Sequence, residues 1–172
     1  QKDGIEPLKE LLTDGKCVLG AHLHPWVNPP FDEEVCNASS YPGNLPMALE
    51  REKLKYLTET IADNFGARPT IYKAGRYGVG FNTSAILEEL GYEFDTRVLA
   101  ATDLSSEEGP DFAHCGTAPY WFGENRRMLE IPMSVGHLGL FRSGGAALRQ
   151  VLTSPWGQSL HLPGIFSRAY LF

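Results

Sequence analysis

The sequence predicts an α/β protein organised on a mainly parallel sheet, either open or closed into a β/α barrel. Short runs rich in β-branched and aromatic residues alternate with stretches of helical apolar spacing, in the order strand, helix, strand, helix, strand. The connections between successive strands run to about ten residues or more, the length a parallel crossover needs and a hairpin does not. At 172 residues, with 42% hydrophobic and 21% charged residues, the chain has the makeup of one domain with a real core, spanning 1–172.

Ile5, Leu8, Leu11 and Leu12 recur at helical spacing over 5–13, with Pro7 tolerable in a first turn and Gly15 as a stop. The apolar run Cys17-Val18-Leu19 reads as a short buried strand leading into His22 and His24. Residues 27–45 carry Pro, Asn, Ser, Asp and Gly without hydrophobic period, a long loop of the kind that often bears function. Pro46 opens a helix with a core stripe of Leu54, Leu57, Ile61 and Phe65, ended by Gly66. Thr70-Ile71-Tyr72-Lys73 is the second strand, followed by a Gly-rich loop at 74–80. Asn82 or Thr83 caps the next helix, which buries Ile86, Leu87 and Leu90 and stops at Gly91. Residues 92–98 form the third strand, 99–127 a second long excursion, and 128–135 a fourth apolar segment. Pro132 places that segment at a sheet edge or ends it at Ile131. A further helix is expected over 146–152.

The chemistry collects at Gly20-Ala21-His22-Leu23-His24-Pro25-Trp26. Residues two apart on a strand share a face, so His22 and His24 present their imidazoles together while Leu23 packs the other way. Pro25 supplies no backbone donor and stops the strand, which leaves the pair at its C-terminal end, where β/α proteins bind ligands. A metal site and two surface histidines on an edge strand are both compatible with this spacing.

A net charge of −6 without a basic stripe argues against a nucleic-acid partner. No apolar run approaches the roughly 18 residues of a membrane-spanning helix. Cys17, Cys36 and Cys115 are far apart and lack paired zinc spacing, so they read as reduced thiols. The chain begins at Gln1 and stops as an apolar segment opens at Tyr170-Leu171-Phe172, so it is expected to be a piece of a longer one. The compartment stays open between cytoplasm and cell envelope, as does the oligomeric state.

Three pieces in this order resemble one family. GAHLHPWVNPP at 20–30, KAGRYGVG at 73–80, and GPDF at 109–112 with MLEIPMSVG at 128–136 together resemble the polysaccharide deacetylases of the NodB-homology type, WalW-like branch, over residues 18–139. The resemblance implies a distorted parallel (β/α) barrel, incomplete in this chain, and hydrolysis of N-acetyl groups on amino sugars of a surface polysaccharide. It implies a divalent metal, usually zinc, held by one Asp and two His. His22 and His24 match the metal histidines, although the more widespread family pattern spaces the two further apart. Arg76 and Tyr77 fall in the family's third motif, which typically begins with Arg where this chain has Lys73.

That chemistry is physically coherent. A metal with two neutral imidazoles, a carboxylate and open positions polarises an unreactive amide carbonyl and acidifies bound water. By resemblance, the Tyr77 backbone N–H donates to the developing oxyanion. Arg76 suits holding a carboxylate base in place, or else forms a salt bridge to Asp95 or to a carboxylate on the neighbouring strand. Trp26, Tyr77 and Trp121 are candidates to stack on sugar rings, and read equally as packing aromatics. The carbohydrate polymer is the expected partner, and the acidity of the two long loops points to a neutral or cationic sugar.

The family's first acidic motif, supplying metal carboxylate and base, and its late His motif have no match. His114, His137 and His161 read as solvated or packed, and the chain by itself is expected to be inactive. Two alternatives remain in view: an amidohydrolase-like metal hydrolase, and a carbohydrate-binding remnant without catalysis.

Overall fold

Alternating burial sets the first two strands of the sheet. In β1, Gly20–Leu23, Ala21 and Leu23 turn into the core while Gly20 and His22 face the other way. In β2, Ile71–Ala74, Tyr72 and Ala74 are fully buried and Lys73 shares the face of His22. The computed structural model describes residues 2–134, 147, 150–152 and 154–160. The chain divides into two compact units, Gln1–Ser134 and Val135–Phe172. The second unit shows a short helix, Pro155–Ser159. Of the helix expected over 146–152, residues 147 and 150–152 are described and helical, while 146, 148 and 149, His137, His161 and the terminal apolar segment lie outside the described residues.

The sheet of the first unit has five strands in the order β1-β2-β3-β5-β4. β3 is Phe94–Asp95, β4 is Tyr120–Phe122 and β5 is Met128–Glu130. β1, β2, β3 and β5 run parallel, and β4 pairs antiparallel with β5. The expected α/β class with a parallel-rich sheet is therefore present. Closure into a barrel is not: among the described residues β1 and β4 are the two ends of an open sheet.

Several strand boundaries differ from expectation. The first strand begins at Gly20 rather than Cys17, because no element covers Val18, which is 75% exposed. The third has two residues instead of seven. β4 lies inside the excursion read as a loop, where the aromatic run Tyr120-Trp121-Phe122 pairs with β5. β5 ends at Glu130 before Pro132, yet lies between β3 and β4 rather than at an edge.

The helices follow their sequence signals closely. α1, Lys2–Thr13, starts earlier than expected and takes Pro7 into its interior, where the missing N–H leaves one helical bond unmade. α2, Met47–Phe65, begins just after Pro46 and ends at Gly66 in the left-handed conformation (φ 73°). α3, Thr83–Leu90, ends at Gly91 with φ 84°. Asn82 sits at the N-cap without a side-chain cap bond; the Thr83 hydroxyl instead accepts from the Gly80 N–H at 2.9 Å. Ala21, Leu23, Leu54, Tyr72, Ala74, Ile86, Leu87, Tyr92 and Met128 form one buried cluster, to which α2 and α3 contribute Leu54, Ile86 and Leu87.

Polar groups are buried in the same layer. Arg97 lies 2.9 Å from Asp95 and 3.8 Å from Glu130, and donates to Ser84 Oγ at 2.9 Å. Thr83 donates to the Glu50 carboxylate at 2.5 Å. Burial dominates over these partners: it raises Glu50 and Glu130 to about 7 and Asp95 to about 6, with Arg97 opposing in each case. The folded protein therefore holds protons that the unfolded chain releases above the ordinary carboxylate range. Stability is present at pH 4–5 and lost as pH rises through 7, Glu50 alone contributing on the order of 3 kcal/mol. Thermal unfolding between pH 5 and pH 8 is expected to show a falling Tm, and Glu50→Gln to flatten the fall; a Tm that rises over this interval contradicts it.

Candidate functional site

His22 lies in β1 and His24 one residue past its end, so both imidazoles occupy the sheet face opposite Leu23. Their ring centroids are 4.5 Å apart and the planes nearly perpendicular, at 89°. His22 Nδ1 stands 2.9 Å from the carbonyl of Lys73, its register partner on β2. A carbonyl only accepts, so Nδ1 carries a proton, and the neutral imidazole then leaves its lone pair on Nε2, the arrangement that metal-binding histidines use.

His24 is held from several sides. Its backbone N–H donates to Asn28 Oδ1 at 3.3 Å, and its ring lies 4.6 Å from the Trp26 indole. Burial, followed by repulsion from His22, lowers its pKa and favours the neutral imidazole. Gly75 packs directly on it: a Cβ there would collide with the Leu23 carbonyl and the His24 ring. The Gly-rich loop after β2 can pass this close only because residue 75 has no side chain.

That loop continues through Arg76 and Tyr77, both in the left-handed region at φ 53° and 58°. Non-glycine residues hold this conformation at a cost of about 1–3 kcal/mol each, and such strain concentrates at functional sites. The Lys73 ammonium lies 5.0 Å above the Tyr77 ring. Arg76 donates to Asn37 Oδ1 at 2.8 Å and Ser40 Oγ at 2.5 Å, pairs with Glu107 at 3.1 Å and stacks 4.2 Å over Tyr41. It thus ties the loop after the histidines to the excursion after β3. The expected salt bridge is made, but to Glu107 in the excursion after β3 and not to Asp95, whose carboxylate is taken by Arg97, two residues along its own segment.

Trp26 and Trp121 part company. Trp26 covers His24, while Trp121 is on β4 at the far edge of the sheet, four interstrand spacings or about 19 Å from β1. His114 is exposed in a turn.

Three contributors escaped the sequence reading. Lys73 supplies the carbonyl that orients His22, Gly75 makes room for His24, and Lys53 on α2 gathers the loop that carries Trp26. Lys53 is fully buried and donates to the carbonyls of Pro25 (3.1 Å), Asn28 (2.8 Å) and Pro30 (2.5 Å). Its position was a signal, since Glu50, Lys53 and Leu54 fall on one helical face.

For a metal, the pair fits as two neutral nitrogen ligands, one with its outer nitrogen anchored. Among the described residues, however, no group of three or more His, Cys, Asp or Glu side chains converges to hold an ion.

No family model matches the chain, and no curated protein matches it. In fold, the chain is similar to two solved polysaccharide deacetylase structures. One, from Mycobacterium smegmatis, is 19% identical over 76% of this chain and 36% of its own, with a TM-score of 0.49. The other, from Pseudomonas aeruginosa PAO1, is 20% identical over 82% of this chain and 38% of its own, with a TM-score of 0.48. The chain thus spans little more than a third of the length of either. No described helix is long and apolar enough to cross a membrane.

The packing at Gly75 makes a specific prediction. Gly75→Ala is expected to lower stability by about 1–3 kcal/mol and to shift the His24 ring-proton resonances as the ring leaves Trp26. Gly116→Ala, whose added Cβ meets nothing within 4 Å, is expected to change neither in urea unfolding and proton spectra.

Proposed function

We propose that this chain carries the histidine half of a metal-dependent deacetylase site that removes N-acetyl groups from amino sugars of a surface polysaccharide. The observation that carries the reading is the His22 Nδ1 to Lys73 carbonyl bond beside His24. In the neutral imidazole it turns the Nε2 lone pair outward in a fixed orientation, next to a second imidazole whose neutral form burial favours. The sequence resemblance over 20–30 and 73–80 supplies the reaction class.

In this reading His22 and His24 hold a divalent ion, zinc by preference, whose bound form supplies Lewis acidity toward the amide carbonyl and its attacking water. The chain's own residues do the remainder. Tyr77 offers its backbone N–H to the carbonyl oxygen as negative charge develops. Its left-handed backbone is held by the packing of Gly75 on His24 and by the contacts of Arg76. Trp26 gives a sugar ring an apolar face beside His24. Arg76 acts as the tie between the two loops that flank the histidines. Carboxylate ligand, base and late acid are not among the described residues, so the complete reaction belongs to a larger set of residues than these.

A second reading, a carbohydrate-binding face without catalysis, draws on the lack of a converging third ligand among the described residues. Metal analysis by mass spectrometry separates the two. The deacetylase reading predicts about one zinc per chain after equilibration, lost in His22→Ala and in His24→Ala, with acetate released from N-acetylglucosamine oligomers when the missing carboxylate is present. Oligomer binding without metal in all three proteins establishes the second reading instead.

A further inference from the structure

Lys53 is among the least expected side chains in the molecule. It is 0% exposed on α2, a position where burying a leucine or methionine would avoid the desolvation of an ammonium. What surrounds it is a cradle of oxygens. The carbonyls of Pro25, Asn28 and Pro30 lie at 3.1, 2.8 and 2.5 Å, the Glu33 carboxylate at 2.9 Å, and the Phe31 ring centroid at 5.4 Å.

The sequence explains why the segment needs such a donor. The Pro25 carbonyl also accepts from the Asn28 N–H at 3.2 Å, but Pro25, Pro29 and Pro30 bring no N–H of their own, so the stretch has few internal donors to share among its carbonyls. An ammonium with three protons draws these carbonyls to one point, and the backbone between them follows. Within that span are Trp26, whose ring lies 4.6 Å from that of His24 at a tilt of 50°, and Asn28, whose Oδ1 accepts the His24 backbone N–H.

We propose that Lys53 is a positioning residue for the candidate site: by gathering the carbonyls of Pro25, Asn28 and Pro30 it fixes Trp26 against His24 as the wall on which a sugar ring stacks. The functional part of this statement rests on the histidine face being the substrate site; the structural part stands by itself. Lys53 touches neither histidine through its ammonium and acts only through the loop.

The test is fluorine NMR of protein labelled with 5-fluorotryptophan, the Trp26 resonance being assigned with Trp26→Phe. Lys53→Met is expected to move the Trp26 signal toward that of a solvent-exposed indole, leaving the Trp121 and Trp156 signals in place, and to weaken binding of an N-acetylglucosamine tetramer about tenfold. Leu54→Ala, which removes a core side chain one position along the same helix, is expected to lower stability without moving the Trp26 signal of the folded protein. Should Lys53→Met fail to fold, Glu33→Gln decides, because it removes the counter-charge while keeping the ammonium and is expected to move the Trp26 signal part of the way. An unmoved Trp26 signal in folded Lys53→Met or in Glu33→Gln overturns the proposal, as does an equal movement in Leu54→Ala. Wild-type protein that binds neither zinc nor the tetramer would sink the functional reading of the face, and the Trp26 signal would still decide whether Lys53 holds the loop.

Discussion

The pairing register of β1 with β2 is the constraint on which the candidate site depends. With His22 opposite Lys73, the Lys73 carbonyl meets Nδ1 of the imidazole, and Gly75 arrives two residues later against the ring of His24. A slip of one residue would turn both histidines toward the helices and expose Ala21 and Leu23. The core prevents it: Leu23, Tyr72 and Ala74 are each fully buried in one cluster with Leu54 and Ile86. Packing on one face of the sheet therefore determines the geometry available on the other.

Charge is distributed unevenly across those two faces. The helix side buries Asp95, Glu130, Glu50 and Arg97, where desolvation holds the carboxylates above their usual range. The opposite face carries His22 and Lys73, in register on neighbouring strands. The acids nearest in sequence to the strand ends are thus spent on internal pairing. This explains why a chain with 21 acidic residues brings no carboxylate together with the two histidines among the described residues.

Much of the architecture was legible because its signals are local. Gly66 and Gly91 end helices in the left-handed conformation that glycine favours, and the spacing of Leu54, Leu57 and Ile61 marks the buried face of α2. The shared face of His22 and His24 follows from strand periodicity alone. What escaped was non-local. Tyr120-Trp121-Phe122 becomes a strand only because β5 offers it an edge, and in the apolar run Cys17-Val18-Leu19, which forms no strand, Val18 stands exposed while Cys17 and Leu19 are half-buried. Lys53 was only half visible: helical spacing puts it on the face of Glu50 and Leu54, but its partners are backbone carbonyls more than twenty residues upstream, of which that spacing carries no trace. The Arg76 contacts to Asn37 and Glu107 likewise join segments that sequence reads as separate loops.

The central claim is that His22 and His24 form one ligand pair, with His22 held as the Nδ1–H tautomer. Long-range proton–nitrogen correlation spectra of the histidine side chains, recorded without and with zinc, test it most directly. The account predicts that His22 shows the Nδ1–H pattern before zinc is added, and that the ring nitrogens of both residues shift together as zinc binds. An Nε2–H pattern for His22, or zinc-induced shifts confined to other histidines such as His114, would contradict it.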